Sequence, residues 1–497
     1  MSALGDSIIV VAQYRLGIFG WLGSEQLRGR DPRGSTGNYG LLDQRLALTW
    51  VRDNIAAFGG DPERVLLMGQ SAGAASVSAH LSTEGSVGLF HRAAMSSSGF
   101  VDWNSGNMAA AEEMFDECLL RAGCANASCL ETASADLLRN ISGALGFRGD
   151  PTGGVESKGL SGGTRWGGTA NPPGWGPIVD GVELRAAPER ILGNDTLSSK
   201  TSIGKVPIII GWARDEGGGF AGPIPGRNAS TRDLSEQEFG LWAQLEWDLT
   251  KEETAEMKRA YVTARLPNET DAPIPAGPPF HGSTTCDGAC GNCAYCNCGD
   301  RLRCRRCTGA WWAYARAMTD QSMACAARRA ARAWAGLKMP VFMFSFDHLR
   351  FGFWNYGCNS GNGLSHIPNP GDNVTKDYCA PHREPRVPMV RHADDIPFWF
   401  MSESLLDTHC VGYEGELVTH CPGQSYDAQS KELARQMAGM WSSFAKTGVP
   451  GGGWPRWDDA SQKVFHLRAR REGGMSDHAM EKAVECRFWD KWEGLAQ

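Results

Sequence analysis

Residues 69–73 read Gly-Gln-Ser-Ala-Gly and join two runs of opposite character. Arg64 to Met68 is a short apolar run of the buried-strand type, and Ala74 to Leu81 is a string of small residues suited to a helix. A strand that turns directly into a helix has few backbone solutions. Glycine is needed where a Cβ would strike the neighbouring strand or helix, and the strained turn lifts the Ser71 hydroxyl above the sheet. Taken alone, G-x-S-x-G is a weak motif in a chain with 62 glycines. Its setting between strand and helix makes Ser71 a candidate nucleophile.

The surrounding elements alternate in the same way. Ser7 to Tyr14 is a continuous apolar, β-branched run, expected as a central strand covered on both faces. Asn38-Tyr39-Gly40 opens a helix in which Leu42, Leu46 and Trp50 recur every four residues, with Val51 and Ile55 widening the stripe. Phe58-Gly59-Gly60-Asp61-Pro62 stops it. Lys205–Gly211 and Met339–Phe346 read as further strands, helices are expected around 110–123, 235–262, 309–336 and 426–447, and the Gly-rich stretches 161–176, 217–226 and 450–454 read as loops. This pattern predicts an α/β protein with a mostly parallel central sheet flanked by helices, carrying long loop insertions. Neither a repeat nor a linker divides the 497 residues, so one domain over 1–497 is expected, with a Cys-rich insertion at 271–310.

Composition narrows the function classes. A net charge of -7, spread along the chain, and only short Arg-rich pieces (301–306, 468–471) give no nucleic-acid footprint. No run of 18 apolar residues exists to span a membrane. Sixteen cysteines are many for a reducing compartment. Six Asn-x-Ser/Thr sites, at Asn126, Asn140, Asn194, Asn228, Asn268 and Asn373, exceed what composition alone would supply. Both features favour a secretory route, although Met1-Ser2-Ala3-Leu4-Gly5-Asp6 does not read as a signal peptide.

A serine hydrolase needs an acid and then a histidine downstream of the nucleophile, and spacing alone does not choose among 11 histidines. Longer blocks do. Tyr14–Gly20, Asn38–Gln44, Phe58–Pro62, Gly69–Gly73 and Gly176–Gly181 together resemble the type-B carboxylesterase/cholinesterase family, and the likeness runs on to Cys486-Arg487-Phe488-Trp489. The resemblance implies an α/β-hydrolase fold and a Ser-Glu-His triad. Arg214-Asp215-Glu216-Gly217 matches the segment that supplies the acid, making Glu216 the candidate, and the segment from His392 to Phe400 matches the one opened by the base. It implies an oxyanion donor in the Ala72 N–H, Ser97 as a serine orienting the acid, and Trp103 on the acyl-pocket wall. It also implies disulfides Cys325–Cys486 and Cys124–Cys129, while Cys358–Cys379 and Cys410–Cys421 are pairs chosen by proximity.

The chain also departs from that family. There, the main oxyanion donors lie on a Gly-Gly-rich loop upstream of the strand matching 7–14, so the resemblance implies an N-terminally truncated chain. A signal peptide would belong to its parent, and the chain as written is expected to be catalytically impaired. Gly217-Gly218-Gly219 follows Glu216, leaving only Phe220 as an aromatic there, and no paired phenylalanines precede Pro177. Gln70 stands where many relatives carry glutamate. A cation–π cage for choline is therefore poorly supported, and a general small-molecule or lipid ester is the expected substrate, with no cofactor. The cysteines from Cys286 to Cys307 include C-x2-C pairs with zinc spacing. The sequons and remaining cysteines favour disulfides there instead, so no metal is assigned. The alternatives to an esterase are a lipase, or a cholinesterase-like binding or adhesion protein; retention of Ser71, Glu216 and His392 argues against the latter. The sequence does not fix an oligomeric state.

Overall fold

A strand can be apolar along its whole length only if both faces are covered, and Ile208–Ala213 (IIIGWA) is buried at every position. It lies centrally in a six-stranded sheet of the computed structural model. The structure describes residues 7–101, 105–146, 175–192, 194–217, 236–247, 249–263, 309–348, 390, 392–401, 410–411, 417–418, 428–470 and 474–492. In chain order the strands are β1 (Leu66–Gln70), β2 (Arg92–Ser96), β3 (Ile208–Ala213), β4 (Val341–Phe346), β5 (Val464–Leu467) and β6 (Ser476–His478), and they lie side by side in that order. All neighbours are parallel except β6, which runs antiparallel to β5.

Helices cover both faces. Those that matter here are α1 (Tyr39–Asn54), α2 (Ala72–Ser82), α3 (Gly309–Thr319), α4 (Cys325–Gly336), α5 (Ala428–Thr447) and α6 (Ala483–Trp492). Side chains alternate along a strand, and β3 sorts its residues accordingly. Ile208, Ile210 and Trp212 join Val77 and Leu81 of α2 and Ala330 and Trp334 of α4 in one core. Ile209 and Ala213 join Leu433, Met437 and Trp441 of α5 in the other. A third cluster packs Trp242, Trp247, Tyr314 and Trp489 around Cys325 and Cys486.

Four details differ from expectation, the first being that the helix expected over 235–262 is two, Glu236–Trp247 and Lys251–Lys258, the second capped by Thr250. Ser7–Tyr14 forms no strand, and Ile8, Ile9, Val10 and Val11 are exposed. Among the described residues β1 pairs only with β2, so the run has no ladder to complete; β-branched composition favours a strand only where a neighbour and a cover exist. In α1 the expected Val51 and, just beyond, Ile55 are buried, but Gly40, Leu41 and Leu48 join them while Leu46 and Trp50 are exposed, so the core stripe is rotated from the expected one. The expected helix over 309–336 is interrupted by a π-helical turn, Asp320–Ala324, between α3 and α4.

Disulfides join Cys124 to Cys129 and Cys325 to Cys486, as expected. The cysteines from Cys286 to Cys307, the pair Cys358–Cys379 and Cys421 lie outside the described residues. No described helix is long and apolar enough to cross a membrane.

Candidate active site

The elbow is built by one close approach. A Cβ on Gly69 would lie 2.3 Å from the carbonyl carbon of Gly73, so only glycine lets the end of β1 meet the first turn of α2. The second glycine faces no such obstacle, since nothing lies within 4 Å of a Cβ built on Gly73. Ser71 between them has φ 56° and ψ -123°, a costly conformation for a residue with a side chain. Two backbone bonds hold it there. Its N–H donates to Ser96 O of β2 at 2.9 Å, and its carbonyl accepts from Ala75 N of α2 at 2.9 Å. Ala72 opens α2, so its N–H belongs to the set that has no acceptor within the helix.

Glu216 sits in the turn after β3 and is fully buried. Its Oε1 accepts from Ala213 N at 2.6 Å and its Oε2 contacts His392 Nδ1 at 2.5 Å. Packing fixes the turn from beneath: Gly217 N donates to Thr319 Oγ1 at 2.9 Å, and a Cβ on Gly217 would fall 2.0 Å from Ala315 O. Both contacts come from α3, just before the π-helical turn. His392 is held from the other side. Asp215 N donates to Val390 O at 2.9 Å, and Val390 N returns a bond to Asp215 Oδ2 at 3.0 Å. Acid and base thus sit on two turns laced together by one backbone bond and one bond to the Asp215 carboxylate.

Burial opposes charge on His392, yet Glu216, Asp395 and Asp394 outweigh it and raise the imidazole above its ordinary range. The outer nitrogen, Nε2, lies 3.2 Å from Gln70 Nε2, one residue before Ser71. Among the described residues no hydrogen bond joins the Ser71 hydroxyl to the imidazole.

Ser97, the serine that the resemblance puts beside the acid, follows Ser96 at the end of β2. Ser97 is buried with φ 59°; its N–H donates to Gly211 O at 2.8 Å, and its Oγ lies 3.3 Å from Ser96 Oγ. Among the described residues Ser97 makes no side-chain bond to Glu216. Ser96 is the serine that reaches an acid, donating to Asp395 Oδ2 at 2.5 Å. Neither Ser96 nor Asp395 was singled out from the sequence, although Asp395 stands in the same matching segment as His392. Trp103 and Phe220 lie outside the described residues.

The Carboxylesterase family model matches residues 1–489. Among curated proteins, the chain is 34% identical over 214 residues to the Crystal protein of Dictyostelium discoideum, covering 42% of this chain and 34% of that one. It is 35% identical over 223 residues to Liver carboxylesterase 1 of Mus musculus, again 42% and 34% of the two chains. An acetylcholinesterase of Leptinotarsa decemlineata is 38% identical over 172 residues, covering 31% and 27%. Each match spans about a third or less of the relative's length. A solved carboxylesterase structure from Geobacillus stearothermophilus superposes with a TM-score of 0.63 over 98% of this chain and 76% of its own, at 24% identity, which shows a shared α/β-hydrolase fold. With the family model matching from residue 1 to residue 489, the chain belongs to the carboxylesterase family.

Proposed function

We propose that this chain is a serine hydrolase of carboxylic esters that works through an acyl-enzyme intermediate on Ser71. The observation that carries the reading is the 2.5 Å contact between Glu216 and His392 beside the Ser71 elbow. His392 removes the hydroxyl proton as Ser71 Oγ attacks the ester carbonyl, then delivers it to the leaving alcohol. Glu216 fixes the proton on Nδ1, leaves Nε2 to act as base, and stabilises the imidazolium that forms. Ala72 N–H, at the positive end of α2, donates to the oxyanion. A water activated by the same imidazole then hydrolyses the acyl-enzyme. Catalysis requires His392 Nε2 to exchange the Gln70 amide for the Ser71 hydroxyl.

The substrate class is a small-molecule or lipid ester. Two disulfides and the exposed sequon residues Asn126, Asn140 and Asn194 support a secreted or secretory-pathway glycoprotein. A fluorophosphonate probe tests the reaction: it is expected to label Ser71, with labelling and ester turnover both lost in Ser71→Ala. Folded protein that neither labels nor turns over esters would leave the binding-protein reading in its place.

A further inference from the structure

We propose that Asp395, fixed by Ser96 beside the Glu216–His392 pair, is a proton-holding positioning residue that leaves Glu216 as the one buried ionised carboxylate acting on the imidazole. The proposal rests on the triad reading above and adds a second acid to it.

The geometry is asymmetric. Asp395 follows His392 by three residues in the same turn and is fully buried. Its Oδ2 accepts from Ser96 Oγ at 2.5 Å, whereas its Oδ1 is buried and, among the described residues, has no hydrogen-bond partner. An ionised carboxylate with one bare oxygen in a dry site is costly, and a neutral carboxyl is much less so. The charged groups that act on it are Glu216, from the turn after β3, and His392, from its own turn. Strand β2 offers hydroxyls at Ser96, with Ser97 just beyond. Asp394 acts on the imidazole from a half-buried position. Burial, opposed by the Ser96 hydrogen bond and reinforced by Glu216, pushes Asp395 up to about 7.

The consequence falls on His392. A general base must be neutral when the nucleophile attacks, and each nearby negative charge makes the imidazole hold its proton more tightly. If Asp395 ionises first, the site rests as imidazolium and carboxylate, which is unproductive. If Asp395 keeps the proton, the imidazole is free to take one from Ser71. The two groups therefore titrate as a pair, and Ser96 sets how that single proton is shared.

Asparagine at 395 copies the neutral carboxyl in shape, so Asp395→Asn should lock the productive state. The measurements are NMR titration of His392 in histidine-labelled full-length protein, the pH profile of ester kcat/KM, and the pH dependence of fluorophosphonate labelling. In native protein the His392 resonances should titrate in two steps, the second reporting loss of the Asp395 proton. Asp395→Asn should show one step, with activity at pH 6 within about twofold of native. Ser96→Ala removes a donor that favours the ionised form, so it should move the second step to higher pH; it decides the matter if the Asn variant does not fold. A single step in native protein, or an Asp395→Asn activity at pH 6 raised by about threefold or more, would show that Asp395 does not hold the proton and overturn the proposal. Failure of native protein to label at Ser71, with the coupled titration intact, would instead overturn the hydrolase reading alone.

Discussion

Gln70 is the side chain on which the resting site turns. Its amide occupies the imidazole nitrogen that the mechanism assigns to Ser71. A net hydrogen bond contributes about 0.5–1.5 kcal/mol, so Gln70→Ala is expected to raise the labelling rate of Ser71 by about threefold, measured with a fluorophosphonate at neutral pH. Gln70→Glu should act oppositely below neutrality, since a carboxylate there stabilises imidazolium and moves the acid limb of kcat/KM to higher pH. Glu216→Gln keeps the shape of the acid but releases its grip on Nδ1–H, and turnover should fall by about 10⁴-fold with the fold intact by circular dichroism. In the sequence, Ser71, Glu216 and His392 were legible because chain order and matching segments single them out. Ser96 was not. In the run Ser96-Ser97-Ser98, chain position does not reveal which hydroxyl reaches an acid, because the answer depends on where β2 ends and on the positive φ at Ser97.

Elements carry the next level of constraint. Gly69→Ala puts a Cβ into the Gly73 backbone; a loss of roughly 2–3 kcal/mol in stability is expected by thermal unfolding, with disproportionate loss of Ser71 reactivity. A second clamp lies at the far side of the sheet. His466 of β5 contacts Asp347, just after β4, through Nδ1 and Glu481, after β6, through Nε2 at 2.5 Å. Burial works against its charge, but Asp347 and Glu481 raise it to about 10. Because the folded value lies above that of the unfolded chain, the clamp's contribution is complete below about pH 6.5 and is lost as pH rises through 10. His466→Gln should therefore destabilise by about 3 kcal/mol at pH 6, and the gap from native should close as the denaturation series approaches pH 10. The sequence showed β3, β4 and the helices because their apolar patterns meet covered surfaces. It misplaced the α1 stripe because Leu42, Leu46 and Trp50 fit the helical period as well as the residues that the core takes up.

At the scale of the whole molecule, the two disulfides among the described residues differ in reach. Cys325–Cys486 closes a separation of 161 residues and ties α4 to α6, whereas Cys124–Cys129 closes only 5. Loop-closure entropy assigns roughly 5 kcal/mol to the first and about 2 kcal/mol to the second. Cys325→Ser with Cys486→Ser should lower the melting temperature well below that of the Cys124/Cys129 double serine variant, compared by calorimetry under one set of conditions. The fold class was readable from alternation alone, since a parallel sheet leaves few other arrangements; the pairing of distant turns around Glu216 and His392 was not, because it comes from contacts between segments far apart in the chain. The serine rides on β1, which among the described residues is laddered on one side only. Amide deuteration should therefore proceed faster through 66–71 than through Ile208–Ala213, and a small ligand covalently attached at Ser71 should slow it locally, so that isotope uptake on this strand becomes a gauge of site occupancy.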